Sequence, residues 1–200
     1  KLSIPAKINR AVLVGTSRGP QDELSIKGGR KIRTTWGEMA WQLGGEEAFR
    51  MIAENDERGI APGSNLLEEI FKKCAPCLIL IDEWVAYARM LHDEGKLCGG
   101  SFETQFTFAQ MLTETVKSVD HAMLVVSIPA SDSISPHYQS RIADIEIGGE
   151  RGMQAVHRLK NVIGRTEAAW RPASQEESYA IVRRRLFNDI GEAGLFKTRD

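Results

Sequence analysis

The segment Cys77-Leu-Ile-Leu-Ile-Asp-Glu83 decides the fold class of this 200-residue chain. The apolar run from Cys77 to Ile81 has the length and composition of a strand that is buried on both faces. Pro76 separates this strand from the helix that precedes it. Two carboxylates, those of Asp82 and Glu83, follow the strand directly. The segment therefore predicts a strand of a parallel sheet that carries acidic groups at its carboxyl end.

Two further apolar runs of strand length, Ala11–Gly15 and Ala122–Ile128, are predicted to join the same sheet. Apolar residues recur at helical spacing between and after these runs, and they predict helices at 35–43, 46–53, 64–75, 84–92, 102–118, 152–163 and 174–187. Strands that alternate with helices predict an α/β fold, an open parallel sheet with helices on both faces. Ligands bind such sheets beyond the carboxyl ends of the strands.

Local signals also predict how several of these segments begin or end. Thr35 and Glu38 suit a capping box at the first helix, and Gly44-Gly45 is predicted to stop it. Ser64 or Asn65 is expected to cap the helix before Pro76. Residues 16–31 are expected to form a loop, and residues 168–171 a short fourth strand.

The composition excludes several classes of protein. With 42% hydrophobic and 26% charged residues, the chain is neither disordered, collagen-like nor a coiled coil. Its longest apolar runs are far shorter than the ~20 residues needed to cross a bilayer, so we expect no membrane partner. Three cysteines are too few for a secreted disulfide framework and favour a reducing cytoplasm.

Charge is unevenly distributed although the net charge is only −1. Residues 1–35 contain eight lysines and arginines against two acids, whereas residues 36–120 contain seven against fifteen. The basic amino-terminal part is typical of a solvated surface, and the alternative is contact with nucleic acid or nucleotide phosphates.

Asp82 and Glu83 are the strongest candidates for a chemical role. At the end of a buried strand, Asp82 is suited to hold Mg²⁺ through water, and Glu83 to orient or deprotonate an attacking water. The alternative is structural, because two acids that leave a strand can cap the helix predicted at Trp84. Spacing alone does not separate the two interpretations.

Ser127 and Arg165 complete the candidate site. Ser127 ends the next predicted strand, where its hydroxyl can reach the same water or phosphate. Arg165 follows the next helix and is a candidate for an arginine that enters a neighbouring subunit's phosphate site. The alternatives are an ordinary strand-end serine and an ordinary exposed arginine.

The phosphate-binding motif G-x-x-x-x-G-K-[ST] is absent from the sequence. Gly15–Gly19 and Gly28–Lys31 combine glycine with basic residues, but neither has the motif's spacing or its Lys-Ser/Thr end. Since the chain begins at Lys1 rather than at Met, we expect a truncated product whose phosphate loop lies upstream.

Five ordered blocks of sequence resemble a family of prokaryotic AAA+-type ATPases that is classed as a domain of unknown function. The blocks are Arg33-Thr-Thr-Trp-Gly-Glu-Met-Ala-Trp-Gln-Leu-Gly-Gly45, Ala61-Pro-Gly63, Leu78-Ile-Leu-Ile-Asp-Glu-Trp-Val-Ala-Tyr-Ala88, Val126-Ser-Ile-Pro-Ala-Ser-Asp132, and Trp170-Arg-Pro-Ala173 with Ile181-Val-Arg-Arg-Arg-Leu-Phe187. Members of that family are large proteins, often encoded beside restriction or phage-defence genes, with the phosphate loop ahead of the region seen here.

The resemblance implies a P-loop NTPase-like ATPase core over residues 1–173 and the beginning of a helical lid over 174–200. It implies that Asp82 binds Mg²⁺, that Glu83 activates water and that Ser127 is the polar sensor. Arg165 is implied as the finger, with Arg158 and Arg171 as competitors. ATP and Mg²⁺ are the implied cofactors of the parent protein, and a homo-oligomer, nucleic acid or a defence-system protein are its implied partners. The fragment alone is expected to lack ATPase activity.

Three other features of the sequence could be functional sites but are interpreted as structural. Cys74-Ala-Pro-Cys77 has the spacing of a redox pair or half a zinc site, but no paired ligands accompany it. The aromatic residues Trp36, Trp41 and Phe49 are expected in the core, and Arg183–Arg185 on a solvated helix face. The rival function is that of a non-catalytic scaffold domain that binds a protein or nucleic-acid partner.

Overall fold

Three parallel strands form the central sheet of the protein, in the spatial order β1–β4–β5. A computed structural model describes residues 5–26, 28–91, 97–128, 149–164 and 175–186. The three strands are β1 (Asn9–Val14), β4 (Cys77–Asp82) and β5 (Ala122–Val126). They are the three strands predicted from the apolar runs, and they are neighbours in one sheet. The α/β class and the parallel sheet are therefore confirmed.

The remaining elements connect or follow these strands. A two-stranded antiparallel hairpin, β2 (Leu24–Ser25) with β3 (Lys31–Ile32), lies in the segment predicted as a loop. The helices are α1 (Thr35–Arg58), α2 (Ser64–Cys74), α3 (Trp84–Met90), α4 (Phe102–Ser118), α5 (Gly149–Ile163) and α6 (Gln175–Leu186). The predicted strand at 168–171 lies outside the described residues.

The ends of the helices follow local backbone chemistry, with two differences from the predicted caps. The N-cap of α1 is Thr34 rather than Thr35, and its hydroxyl accepts a hydrogen bond from Gly37 N–H. The N-cap of α2 is Gly63, which offers no side chain to the first turn. Gly44-Gly45 interrupts α1, as predicted, since Gly45 takes a φ of 61° that favours glycine.

The register of the sheet separates a buried face from an exposed one. Ala11 of β1 lies opposite Ile79 of β4, which lies opposite Leu124 of β5, and the first two are fully buried. Successive residues point to opposite faces of a strand. The neighbouring row contains Val12 and Val125, which are 46% and 42% exposed. The helices therefore cover one face, and the expected cover on the second face is not found within the described residues.

The core forms between the buried sheet face and the helices. Its largest fully buried side chains include those of Trp36, Phe71, Trp84 and Phe108. Trp36 and Trp84 both contact Phe108, with ring centroids 5.5 and 6.0 Å apart. The core position predicted for Trp36 is thus confirmed. No described helix is both long enough and apolar enough to cross a membrane.

The chain divides into two compact units, Lys1–Thr166 and Glu167–Asp200. The first contains the sheet and helices α1 to α5. The second contains α6, on which Arg183–Arg185 are exposed, as predicted.

Candidate functional site

The carboxyl ends of the three strands meet at one edge of the sheet. Val14 pairs with Asp82, and Ile81 pairs with Val126. The pairing continues one residue further on each side, because Gly15 N–H donates to the Asp82 carbonyl at 2.8 Å and Ser127 N–H donates to the Ile81 carbonyl at 3.0 Å. Side chains that follow these strands are therefore brought together, as expected for a parallel sheet.

Asp82 and Ser127 are in direct contact at this edge. The Ser127 hydroxyl donates a hydrogen bond to Asp82 Oδ1, and the Glu83 N–H donates to the same oxygen at 3.0 Å. Glu83 N–H also lies 3.2 Å from Ser127 Oγ. All three side chains are exposed. Three of the predicted site residues thus form one accessible cluster.

Glu83 has a backbone conformation that is unusual for a residue other than glycine. Its φ and ψ are 52° and 35°, in the left-handed region, where a non-glycine residue is uncommon. It occupies the N-cap position of α3, but its side chain makes no capping hydrogen bond. The Glu83 carboxylate instead accepts a hydrogen bond from the hydroxyl of Thr16, which follows β1. Glu83 thus stands at the amino end of α3 without a side-chain hydrogen bond to its first turn.

The close approach of the two loops at this edge depends on Gly15. A Cβ atom on Gly15 would lie 2.0 Å from the Glu83 carbonyl oxygen, a distance that real Cβ atoms do not show. Glycine at position 15 therefore allows the backbone after β1 to pass close to Glu83. This approach places Thr16 within hydrogen-bonding distance of the Glu83 carboxylate.

The donor set at this edge fits a hard cation such as Mg²⁺. The groups are oxygen atoms, namely the Asp82 carboxylate and the hydroxyls of Ser127 and Thr16, and Mg²⁺ prefers oxygen ligands. Mg²⁺ usually takes only one or two protein carboxylates and completes its shell with water and phosphate. Within the described residues, no group of three or more His, Cys, Asp and Glu side chains is placed to hold a metal ion.

Of the three candidate finger arginines, the structure describes Arg158 alone. Its guanidinium pairs with Glu103 at 2.5 Å and lies over the rings of Phe102 and Phe106, 5.6 and 5.0 Å from their centroids. Arg158 thus stabilises the contact between α5 and α4. Arg165 and Arg171 lie outside the described residues.

A small cavity of about 20 Å³ lies beside the candidate site, between β1, α1 and α3. Arg18 Nη1 is 3.5 Å from Glu38 Oε2, and the Tyr87 hydroxyl is buried in the cavity wall. Burial raises the pKa of Tyr87, although the neighbouring Arg18 opposes this effect. A cavity of this size holds about one water molecule and is too small for a nucleotide.

Asp56 is a buried acid that no pattern in the sequence singled out. Its carboxylate accepts hydrogen bonds from the backbone N–H groups of Arg33 and Thr34, at 2.9 to 3.1 Å, and from the Thr34 hydroxyl at 2.6 Å. Asp56 lies near the end of α1, and these partners precede its first turn. Because Gly44-Gly45 interrupts α1, its carboxyl-terminal part can approach its start. Asp56 therefore links that part of the helix to the backbone that precedes the first turn.

Cys74 and Cys77 are free and buried thiols. Burial, together with the neighbouring Cys74, raises the pKa of Cys77 to about 11. Burial also raises the pKa of Cys74. A buried thiol with a raised pKa is a poor nucleophile and a poor metal ligand. These properties support the structural interpretation of the Cys-x-x-Cys sequence.

The fold and the site together define an α/β protein with a carboxylate and hydroxyl cluster at the carboxyl edge of a parallel sheet. The chain belongs to the family described as the DUF499 N-terminal domain, whose model matches residues 6–161. The matched region contains all three sheet strands and the cluster of Asp82, Glu83 and Ser127. Neither the curated proteins nor the solved structures contain a significant match.

Proposed function

We propose that this chain is part of an ATP-hydrolysing domain of the AAA+ type, with Asp82, Glu83 and Ser127 at the site of hydrolysis. The observation that carries the proposal is the contact between Asp82 and Ser127 with Glu83 beside them. Phosphoryl transfer to water needs a group that orients the water and oxygen ligands for a divalent cation. The three side chains are of these types and face solvent at the sheet edge where ligands bind.

Glu83 is the group suited to take a proton from water. Its Oε2 accepts a hydrogen bond from Thr16, so the orientation of the carboxylate is restricted while the residue stays exposed to solvent. A positioned carboxylate of this kind contributes a factor of about 10² to 10⁴ to a hydrolysis rate. Asp82 is placed one residue earlier, and it would hold Mg²⁺ there. The bound cation would neutralise phosphate charge.

Ser127 has a single hydroxyl proton, which it donates to Asp82. To donate to a phosphate, the hydroxyl must rotate away from Asp82, and a cation on Asp82 would favour that rotation. The orientation of the Ser127 hydroxyl would therefore depend on whether a cation is bound to Asp82. The phosphate cradle is proposed to come from the upstream part of the parent protein, since the chain lacks the glycine-rich motif. The parent is proposed to act as an oligomer in phage defence, in the cytoplasm.

The proposal is tested by comparing two substitutions in the full-length parent protein. We expect Glu83→Gln to abolish ATP hydrolysis and to leave ATP binding nearly unchanged, because the amide keeps the shape but accepts no proton. We expect Asp82→Asn to weaken Mg²⁺-dependent ATP binding as well, because it removes the charge from the cation site. Calorimetric titration with MgATP and a phosphate-release assay measure the two properties.

Glu69→Gln is the matched control, since Glu69 is an exposed acid on α2. It should change neither binding nor hydrolysis. Equal and mild effects of the Asp82 and Glu83 substitutions would contradict the proposal. They would favour the second candidate, a scaffold domain that keeps the fold without nucleotide chemistry.

A further inference from the structure

Tyr87 and Arg18 carry buried polar atoms that the surrounding side chains and backbone leave unsatisfied. Tyr87 is 2% exposed, and within the described residues its hydroxyl has no hydrogen-bond partner. The same holds there for both terminal nitrogens of Arg18, whose side chain is 12% exposed. A buried polar group without a partner destabilises the folded state, so most such groups are hydrogen-bonded to protein or to ordered water.

Both residues line the small cavity beside the candidate site. Tyr87 belongs to α3, and Arg18 belongs to the loop that follows β1. The guanidinium lies close enough to the phenol to oppose the effect of burial on the pKa of Tyr87. Glu38, near the start of α1, also lines the cavity. Its Oε2 is 3.5 Å from Arg18 Nη1, which is longer than a well-formed hydrogen bond, so this ion pair does not satisfy Arg18.

The size and the chemistry of the cavity restrict what it can bind. Its volume of about 20 Å³ matches one water molecule and is too small for a phosphate group. The nitrogens of Arg18 can only donate, so the ligand must accept hydrogen bonds.

The charges around the cavity distinguish water from a halide ion, since both accept hydrogen bonds. The carboxylate of Glu38 already balances the positive charge of Arg18. Asp22 adds a second negative charge near Tyr87. An anion in the cavity would therefore be repelled, whereas water adds no charge and also has protons to donate to Glu38.

The neighbouring contacts identify the segments that meet at the Tyr87 hydroxyl. The loop that carries Arg18 contacts the segment before α4, because Gly99 N–H donates to the Pro20 carbonyl at 2.8 Å. Gly99 also lies directly against Tyr87, since a Cβ atom on Gly99 would be 2.3 Å from the phenol oxygen. The hydroxyl thus stands where α3, the loop after β1 and the segment before α4 come together.

We propose that one buried water molecule occupies this cavity, accepts hydrogen bonds from Tyr87 Oη and Arg18, and donates to Glu38. The water links α3 to the loop after β1 and to the start of α1. Thr16, whose hydroxyl donates to Glu83, lies two residues before Arg18 in the same loop. The water therefore also restrains the part of the loop that contacts the candidate site. This bridge does not depend on nucleotide hydrolysis.

A crystal structure of the full-length protein, at a resolution that shows ordered water, tests the bridge directly. We expect one density peak in the cavity, about 2.7 to 3.2 Å from Tyr87 Oη and from a terminal nitrogen of Arg18. Crystals soaked in bromide should show no anomalous peak at that position. A cavity without a peak, a bromide ion in it, or a direct hydrogen bond between Tyr87 and Arg18 would overturn the proposal.

Hydrogen exchange of a Tyr87→Phe variant tests whether the water restrains the loop. The phenyl ring keeps the shape of the side chain and removes only the hydroxyl. The amide of Gly99 should exchange about fivefold faster in this variant, the factor expected for one lost hydrogen bond. Tyr179→Phe is the matched control, since Tyr179 on α6 is 66% exposed, and it should leave this rate unchanged.

The amide of Thr104, which donates to Ser101 Oγ at the start of α4, is the internal standard and should be unaffected in both variants. Unchanged exchange of Gly99 in Tyr87→Phe would overturn the proposal. Equally faster exchange of Gly99 and Thr104 would also overturn it, because the hydroxyl would then stabilise the whole unit rather than this loop. The crystal structure of the unsubstituted protein decides the matter if Tyr87→Phe fails to fold.

Discussion

The Ser127 hydroxyl donates a hydrogen bond to Asp82 Oδ1 across two neighbouring strands, although 45 positions separate the residues in the sequence. The parallel register produces this contact, because it aligns the carboxyl ends of β4 and β5. A hydroxyl and a carboxylate that face solvent have little reason to pair for stability alone, since such a bond contributes about 1 kcal/mol. The contact between Ser127 and Asp82 is therefore better explained by a chemical role than by a contribution to stability.

On the proposed function, Ser127→Ala should lower the ATPase rate of the full-length parent by about tenfold or more while changing its stability by only about 1 kcal/mol. The substitution removes the hydroxyl from Asp82 and leaves the β5 backbone pairing intact. Ser127→Thr keeps the hydroxyl and should retain most of the activity. A phosphate-release assay and a thermal melt measure the two effects. Loss of activity in proportion to loss of folded protein would contradict a role at the site.

Thr16→Val should lower kcat by about tenfold with little change in KM, because the shape is kept while the hydrogen bond to Glu83 is lost. Thr107→Val on α4 is the matched control, since the exposed Thr107 hydroxyl donates to the Glu103 carbonyl of the same helix. Steady-state kinetics of the parent protein measure both variants. A faster rate for Thr16→Val would contradict the positioning role and would indicate that Thr16 holds Glu83 away from water.

Asp56→Ala should destabilise the protein by about 3 kcal/mol, because the buried backbone N–H groups of Arg33 and Thr34 lose a charged acceptor. For a protein of this size, such a change lowers Tm by about 6 to 12 °C. Differential scanning calorimetry measures the shift. Glu57→Ala, one residue along and exposed, should leave Tm nearly unchanged. Similar effects of the two substitutions on Tm would show that the hydrogen bonds of Asp56 to the backbone before α1 do not stabilise the protein.

Cys77 should resist alkylation in the folded protein until the pH approaches its pKa of about 11. Because the folded pKa lies above that of an exposed thiol, folding keeps this proton between about pH 9 and 11 while the unfolded chain loses it. The contribution of Cys77 to the free energy of unfolding is therefore fully present below about pH 9. It is lost as the pH rises toward 11, by up to about 1.4 kcal/mol per pH unit. Peptide-resolved iodoacetamide labelling should modify the more exposed Cys98 first. Equal labelling rates of Cys77 and Cys98 at pH 8 would refute the prediction.

The local sequence determined the sheet strands and the helices of this fold and which polar residues follow the strands, but not the β2–β3 hairpin. Buried strands appear as uninterrupted apolar runs, and helices as apolar residues at helical spacing, so β1, β4, β5 and most helix bounds followed from short segments. The position of Glu83 and Ser127 at one edge of the sheet was predictable for a related reason. Each follows a strand, and the ends of parallel strands share an edge.

The tertiary structure decided the features that depend on register and on distant backbone. Thr16 contacts Glu83 because the loop after Gly15 passes close to it, and Gln42 accepts a hydrogen bond from Val12 of β1 across 30 positions. Asp56 binds the backbone just before α1, where Thr34 rather than Thr35 is the cap. Each of these contacts joins groups that are far apart in the sequence. The periodicity of a single segment predicts its secondary structure but not which distant group it will contact.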